Sequence, residues 1–390
     1  MKELPSSHLS LLGDKYQTAS ESEDPRDESR FKRFTDAMGP KFTPRRIPVR
    51  SSYVSDLHQC PRYFMFRDRC GYKRKGQIAE ALYIGTLYHE MMEAAGRGLS
   101  LEDALKTVSR VTSAANSRLL ESVDESGLLP SGRAVEEVIA ANERGYSQAQ
   151  MMFSLSCERF LHAPFIMKEG WEVMAVELPL EVKHAKITTP IRCKPDLLMV
   201  RPSDDTVMIV NHKTTGSSPY MTAATYSFNV QARIEHFCTA AYLRKNWPAL
   251  KVKFYLHNVI QKCTLRYPAK KYPDFDSYLQ ACTEWYESKQ VENPHDPPML
   301  QSLMHLADHP MTVELFTLLR EASRACACDL GTNRFYRNPQ ACFGKFGNSP
   351  CPFLPLCTSA EETWASQIDK YEVAFREDEE AAELKQMKGA

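Results

Sequence analysis

Long hydrophobic runs are missing from this 390-residue sequence. Its apolar stretches are short and interrupted, and none approaches the ~20 consecutive apolar residues of a membrane-spanning helix, which excludes a helical membrane protein. The opening residues, MKELPSSHLSLLGDKY, lack a continuous apolar segment and turn strongly polar by Ser20, which does not describe a secretory signal. An intracellular, cytoplasmic location is expected. Net charge is missing as well, because 49 Lys and Arg offset 49 Asp and Glu. Bulk electrostatics therefore neither demands nor excludes a polyanionic partner. No internal repeat is visible, and no Walker A pattern is present, so the chain carries no ATP-driven motor.

What is present has a clear order. At about 150 residues per domain the length gives two to three domains, or one with large insertions. Residues 1–50 form a polar, Ser- and Pro-rich arm whose last part is basic: Lys32, Arg33, Lys41, Arg45, Arg46 and Arg50 face the single acid Asp36. Ser51 to Arg69 reads as a helix restarted at Pro61. Apolar residues at three and four spacing give helices over Tyr83–Gly96, Leu101–Leu120 and Ala134–Phe160, a helical insertion at about 90–165. The period then changes. Trp171–Val182, Ile187–Val200 and Thr206–His212 are rich in β-branched residues and read as three successive strands. A helix over Thr225–Arg244, a strand over Val252–Gln261 and a helix over Phe275–Lys289 follow. The expected fold is α/β, a mixed central sheet flanked by helices. Residues 330–358 are loop-like, and residues 359–390 are an acidic C-terminal helix or tail.

Within the strand TVMIVNHK, alternation places Asn211 and Lys213 on one face and His212 on the other. Asp196, after Pro195, lies where the preceding strand can pair with this one, so a carboxylate, an amide and an ammonium converge. Phosphodiester hydrolysis needs a carboxylate-held Mg²⁺ or Mn²⁺ that polarises the phosphate and acidifies water, together with a cation that orients the water or offsets developing charge. Asp196 and Lys213 suit those roles.

These residues resemble the PD-(D/E)XK nuclease superfamily, in the RecB-like branch. Gly85-Thr86-Leu87-Tyr88-His89 is similar to the branch's G-x-x-x-H helix, whose His ligates the metal. Gln231 is similar to its glutamine motif, and Glu177 to its accessory acid. The resemblance implies a restriction-endonuclease-like core, Asp196, Asn211, Lys213 and Gln231 as the catalytic set, and His89, Asp196 and Asn211 at the metal. It departs from the family at Asn211, where an acid is expected. An amide oxygen ligates a hard cation but brings no charge, which implies a weakened or inactivated enzyme. A non-catalytic DNA-end-binding protein in recombination or repair is the alternative.

Cys342, Cys351 and Cys357 sit in a Gly- and Pro-rich loop, CFGKFGNSPCPFLPLC, and Cys60 stands far upstream in Cys60-Pro61-x-x-Phe64. Short turns of this kind bring thiolates to one point. The split arrangement resembles the AddB-type nucleases and CRISPR-associated RecB-like exonucleases, in which one Cys before the core and three after it hold a [4Fe-4S] cluster. Zn²⁺ is the other reading of four thiolates. Between Gln59 and Gly76, Arg62, Arg67, Lys73 and Arg74 are interleaved with Tyr63, Phe64, Phe66 and Tyr72, the pairing of cations and aromatic faces that suits single-stranded DNA or DNA ends. A helicase or recombination protein is the partner that the family implies.

Overall fold

The computed structural model describes residues 45–74, 80–121, 129, 134–158, 170–227, 229–265, 272–307, 310–327, 338, 340–344, 350–359 and 363–375. In chain order the elements are α1 (Ser51–Gln59), β1 (Tyr72–Arg74), α2 (Glu80–Gly96), α3 (Leu101–Glu121), α4 (Val135–Ser156), β2 (Glu172–Val176), β3 (Leu180–Val182), β4 (Ile191–Cys193), β5 (Leu197–Arg201), β6 (Thr206–Thr215), α5 (Pro219–Ser227), α6 (Val230–Asn246), β7 (Lys251–Gln261), α7 (Phe275–Glu292), β8 (Met299–His305), α8 (Val313–Ala327) and β9 (Tyr371–Val373). Single helical turns occupy Pro61–Phe64, Ala341–Gly344, Leu354–Thr358 and Trp364–Ile368.

Two units divide the chain. The larger comprises Pro48–Val54 and Lys75–Arg324. Its five-stranded sheet has the order β2-β5-β6-β7-β8. Only β6 and β7 pair in parallel, because α5 and α6 carry the chain back across the sheet between them. The other three neighbouring pairs are antiparallel. The α/β expectation of a mixed sheet is met.

Alternation along β6 sorts the core. Met208 and Val210 pack with Trp171, Leu197 and Leu256 on one face, while Val207 and Ile209 pack with Ala232, Leu243 and Tyr255 on the other, under α6. A separate cluster, with Tyr88, Met91, Phe153 and Tyr286 at its centre, joins α2, α4 and α7. Caps fix two helix starts: Asn229 accepts the Gln231 N–H at 3.0 Å, and Asp274 accepts the Ser277 N–H at 2.7 Å.

The sheet departs from the sequence reading in three places. Trp171–Val182 is two strands, broken where Glu177 takes a φ of 50°, and Ile187–Val200 is also two, broken before Pro195. Their inner pieces, β3 and β4, form a separate two-stranded sheet. The strand β8, at Met299–His305, was not expected. Thr225–Arg244 is also two helices, α5 and α6, not one.

The smaller unit comprises Met1–Ile47, Ser55–Arg74 and Ala325–Ala390. Its two-stranded sheet pairs β1 with β9, Lys73 opposite Glu372. Phe353 is its aromatic hub, with ring centroids 5.4 Å from Tyr63, 5.5 Å from Phe66 and 5.5 Å from Tyr371. At the other end of the sequence arm, Arg45 donates its N–H to the Arg69 carbonyl at 2.8 Å. Instead of a helix from about Ala360, the described chain there makes one turn at Trp364–Ile368 and then β9. Residues 1–44 and 376–390 lie outside the described residues.

Candidate active site

Asp196 stands immediately before β5, which pairs with β6 so that Leu197 faces Val210. That register brings the Asp196 carboxylate to the C-terminal half of β6, where its Oδ2 accepts the backbone N–H of His212 at 2.7 Å. Helix α2 lies over the same spot and places His89 Nδ1 3.7 Å from Asp196 Oδ2. Burial holds the His89 pKa down, against the raising effect of Asp196, so its imidazole is neutral near pH 7 and has a lone pair to give a cation.

Close approach of α2 depends on Gly85. A Cβ there would stand 2.9 Å from Thr214 Oγ1 on β6. Gly85→Ala is therefore expected to cost about 1–3 kcal/mol, the usual range for overpacking, read as a lower urea midpoint. A midpoint at or above that of the parent would show that Thr214 turns aside freely.

The cleft between these elements has a volume of ≈ 380 Å³ and is lined by Gly85, His89, Glu93, Glu177, Lys194 and Lys262, among others. Glu177 donates its N–H to the Asp196 carbonyl at 3.0 Å, and its carboxylate pairs with Lys194 Nζ at 2.5 Å. Burial first, and the Asp196 charge second, raise its pKa to about 7. Sequence reading missed Glu93, Lys194 and Lys262, whose only signal is their spacing from His89, Asp196 and Lys213.

Lys213 is half-buried. Its charge bears on His89, His212, Glu235 and His257 together. Asn211 is 0% exposed, and neither its Oδ1 nor its Nδ2 makes a hydrogen bond. Buried amides are seldom left so. On the opposite face His212 is 4% exposed. Its ring lies 6.4 Å from that of His89, and burial pushes its pKa down to about 4. It is a neutral core histidine, within 3.3 Å of Asn258 Nδ2 through Nδ1.

Gln231, at the start of α6, donates from Nε2 to Glu235 Oε1 at 2.7 Å. Glu235 is 3% exposed and was missed in the sequence. Tyr255 Oη donates to its Oε2 at 2.5 Å.

The donor set of this end of the sheet, one neutral imidazole, one carboxylate and one orphaned amide, suits a hard divalent cation. Among the described residues no group of three His, Cys, Asp or Glu side chains is close enough to hold a metal ion. The fit thus rests on the Asn211 oxygen joining His89 and Asp196.

In the smaller unit Cys60, Cys342, Cys351 and Cys357 are all buried. Burial pushes the Cys357 thiol up to about 12, and Cys351, Cys60 and Cys342 add to that by their charge. Cys351 N–H also donates to the Cys342 carbonyl at 2.8 Å. The four thiols share one buried neighbourhood without meeting the spacing of a formed metal site. Cys326 is buried too, and Cys328 lies outside the described residues.

Part of the expected DNA contact set is corrected. Arg62 is 4% exposed, and its charge bears on Cys357, so it lies in the thiol neighbourhood and not at a phosphate-facing surface. Tyr63, Phe64, Phe66 and Tyr72 are all buried, which leaves no aromatic face there for a base. Arg67 is half-exposed and bonds Asp56 Oδ2 at 3.2 Å and Tyr63 Oη at 2.9 Å. Lys73 is exposed, and the Arg74 side chain lies outside the described residues.

A mixed sheet with this polar end defines a nuclease-type core. Residues 51–298 match the PD-(D/E)XK nuclease superfamily, and the chain belongs to it. A solved structure described as a "Putative exonuclease" from Eubacterium rectale aligns with 84% of this chain and 98% of its own, at 9% identity and a TM-score of 0.38. A search of curated proteins finds no match. No helix among the described residues is long and apolar enough to cross a membrane.

Proposed function

We propose that this chain is a Mg²⁺- or Mn²⁺-dependent deoxyribonuclease acting exonucleolytically on DNA ends or single strands, with a [4Fe-4S] cluster holding its smaller unit together. The carrying observation is the Asp196 carboxylate, fixed by the His212 N–H and facing a neutral His89 across 3.7 Å. His89, Asp196 and Asn211 would hold the cation, which supplies polarisation of the phosphate and an acidified water. Lys213 orients that water or offsets charge on the phosphate as it develops, and Gln231 positions one or the other. Cys60, Cys342, Cys351 and Cys357 would be the thiolates of the cluster. Arg67, Lys73 and Arg74 guide the phosphate backbone by charge alone, since the neighbouring aromatics are occupied in the core. A helicase or recombination protein is the partner class that fits such a nuclease, in the cytoplasm.

Asn211 leaves β6 with no acid of its own, so the strand by itself supports slow cleavage. The deciding experiment is digestion of end-labelled single- and double-stranded DNA with Mn²⁺ or Mg²⁺. Slow, EDTA-sensitive loss of label from the ends is the expected result. DNA binding without cleavage by the parent and by Asn211→Asp would replace the enzyme with a DNA-end-binding protein of the same fold.

A further inference from the structure

We propose that Glu235, on α6, supplies the second negative charge of the cation site, acting across a water in place of the carboxylate that Asn211 lacks. The proposal deepens the metal-dependent reading above and rests on it. Two independent observations carry it. The first is the Asn211 amide, fully buried with both polar atoms unbonded, donor and acceptor groups that a hydrated ion satisfies. The second is a nearly fully buried carboxylate on the same face of the sheet. Tyr255, which bonds Glu235, sits opposite Ile209 in the β6–β7 register, and Asn211 is the next residue of β6 on that face.

Chemistry supports a charge role over a purely structural one. A buried carboxylate is costly unless it is paired or bonded. Gln231 and Tyr255 each give Glu235 one neutral donor, which fixes both oxygens, while burial first and the Asp196 charge second raise its pKa to about 7, a shift that a bound cation reverses. The charges that reach it belong to the site itself: Asp196, which repels it, and Lys213, which attracts it. Two carboxylates whose charges oppose each other are what a divalent cation relieves. Mg²⁺ and Mn²⁺ sites retain waters, so a carboxylate one water away still contributes its charge. That geometry agrees with the absence of a direct three-donor group among the described residues. Glu235 is thus a positioning residue for the cation and its water, held by Gln231, and the glutamine acquires a defined task.

The test reads Mn²⁺ binding by electron paramagnetic resonance and calorimetry, with the full chain and without DNA. Glu235→Gln keeps the shape and removes the charge, and is expected to weaken Mn²⁺ binding by about tenfold or more, the usual scale for outer ligands. Glu235→Asp, which keeps the charge, should stay within about threefold of the parent by the same scale. Adding Asn211→Asp to Glu235→Gln should restore the loss. Asn211→Asp alone, which leaves the buried acid untouched, should gain less than about threefold, because the second charge is already present. Unchanged Mn²⁺ affinity in Glu235→Gln, or a gain of about tenfold from Asn211→Asp alone, would overturn the role of Glu235 and leave the nuclease reading standing. Absence of Mn²⁺ binding in the parent and in Asn211→Asp would remove the metal-dependent reading and this proposal with it.

Discussion

Asp196→Asn is expected to lower divalent-dependent digestion of DNA by roughly 10²- to 10³-fold while leaving the chain folded. The asparagine keeps an oxygen that can accept the His212 N–H, now bonded at 2.7 Å. Alanine would strand that N–H at a cost of about 1–3 kcal/mol and confuse stability with catalysis. What the amide removes is the charge facing His89. Lys213→Ala should cost a comparable factor, and the double variant little more than either, since the proposed roles of both bear on one water and one phosphate. Initial rates of nucleotide release at fixed Mn²⁺, with circular dichroism as the control for folding, decide it. A rate within about threefold of the parent for folded Asp196→Asn would place the chemistry elsewhere.

Cys351→Ser should strip the smaller unit of its metal and its cooperative melting together. Anaerobically purified parent is expected to be brown with roughly four irons and broad visible absorption, and the variant colourless. The four thiols are buried, and the charges of Cys60, Cys342 and Cys351 reach Cys357, so a ligand lost there leaves polar atoms in a buried setting. A fall in Tm of roughly 10 °C or more follows from a loss of several kcal/mol. Cys60→Ser should match it, because the proposed cluster takes one thiolate from each. A silent Cys60→Ser would move the fourth ligand to another cysteine. Colourless parent protein with stoichiometric zinc would end the iron-sulfur reading while keeping the thiol site.

Much of the geometry of the candidate site was legible in the sequence because it depends on periods. The two-residue period of β6 puts Asn211 and Lys213 on one face, and the antiparallel β5–β6 register brings Asp196 to His212. The G-x-x-x-H spacing is one helical turn, so Gly85 makes the close approach and His89 reaches the acid. What failed depends on burial. Helix α6 buries residues around most of its circumference, Ala232, Ile234, Glu235, His236, Cys238 and Thr239 among them, so no polar stripe marks which charged residue faces inward. Glu235 had one signal, its four-residue spacing from Gln231, which puts both on one side of a helix. Arg62 and the aromatics near it misled for the same reason: alternating cations and rings describe a nucleic-acid surface and a buried aromatic hub equally well. The break between β2 and β3 turns on the backbone of Glu177, where a positive φ is uncommon for a residue with a side chain.

The discontinuity of the smaller unit governs the order in which a ribosome can complete this protein. Asn338 Nδ2 donates to the Gln59 carbonyl across 279 residues, and Arg69 Nη1 to the Ala325 carbonyl across 256. At about 5–20 residues per second, those partners emerge roughly a quarter of a minute to a minute apart. The larger unit meanwhile emerges almost without interruption, from Lys75 to Arg324, and its sheet can close while synthesis continues. Tyr63, Phe64, Met65 and Phe66, each no more than 6% exposed in the finished fold, wait through that interval without Phe353, whose ring stands against Tyr63 and Phe66. A nascent chain halted before Asn338 would therefore carry an assembled catalytic sheet beside a naked apolar segment, the kind of stretch that holding chaperones bind.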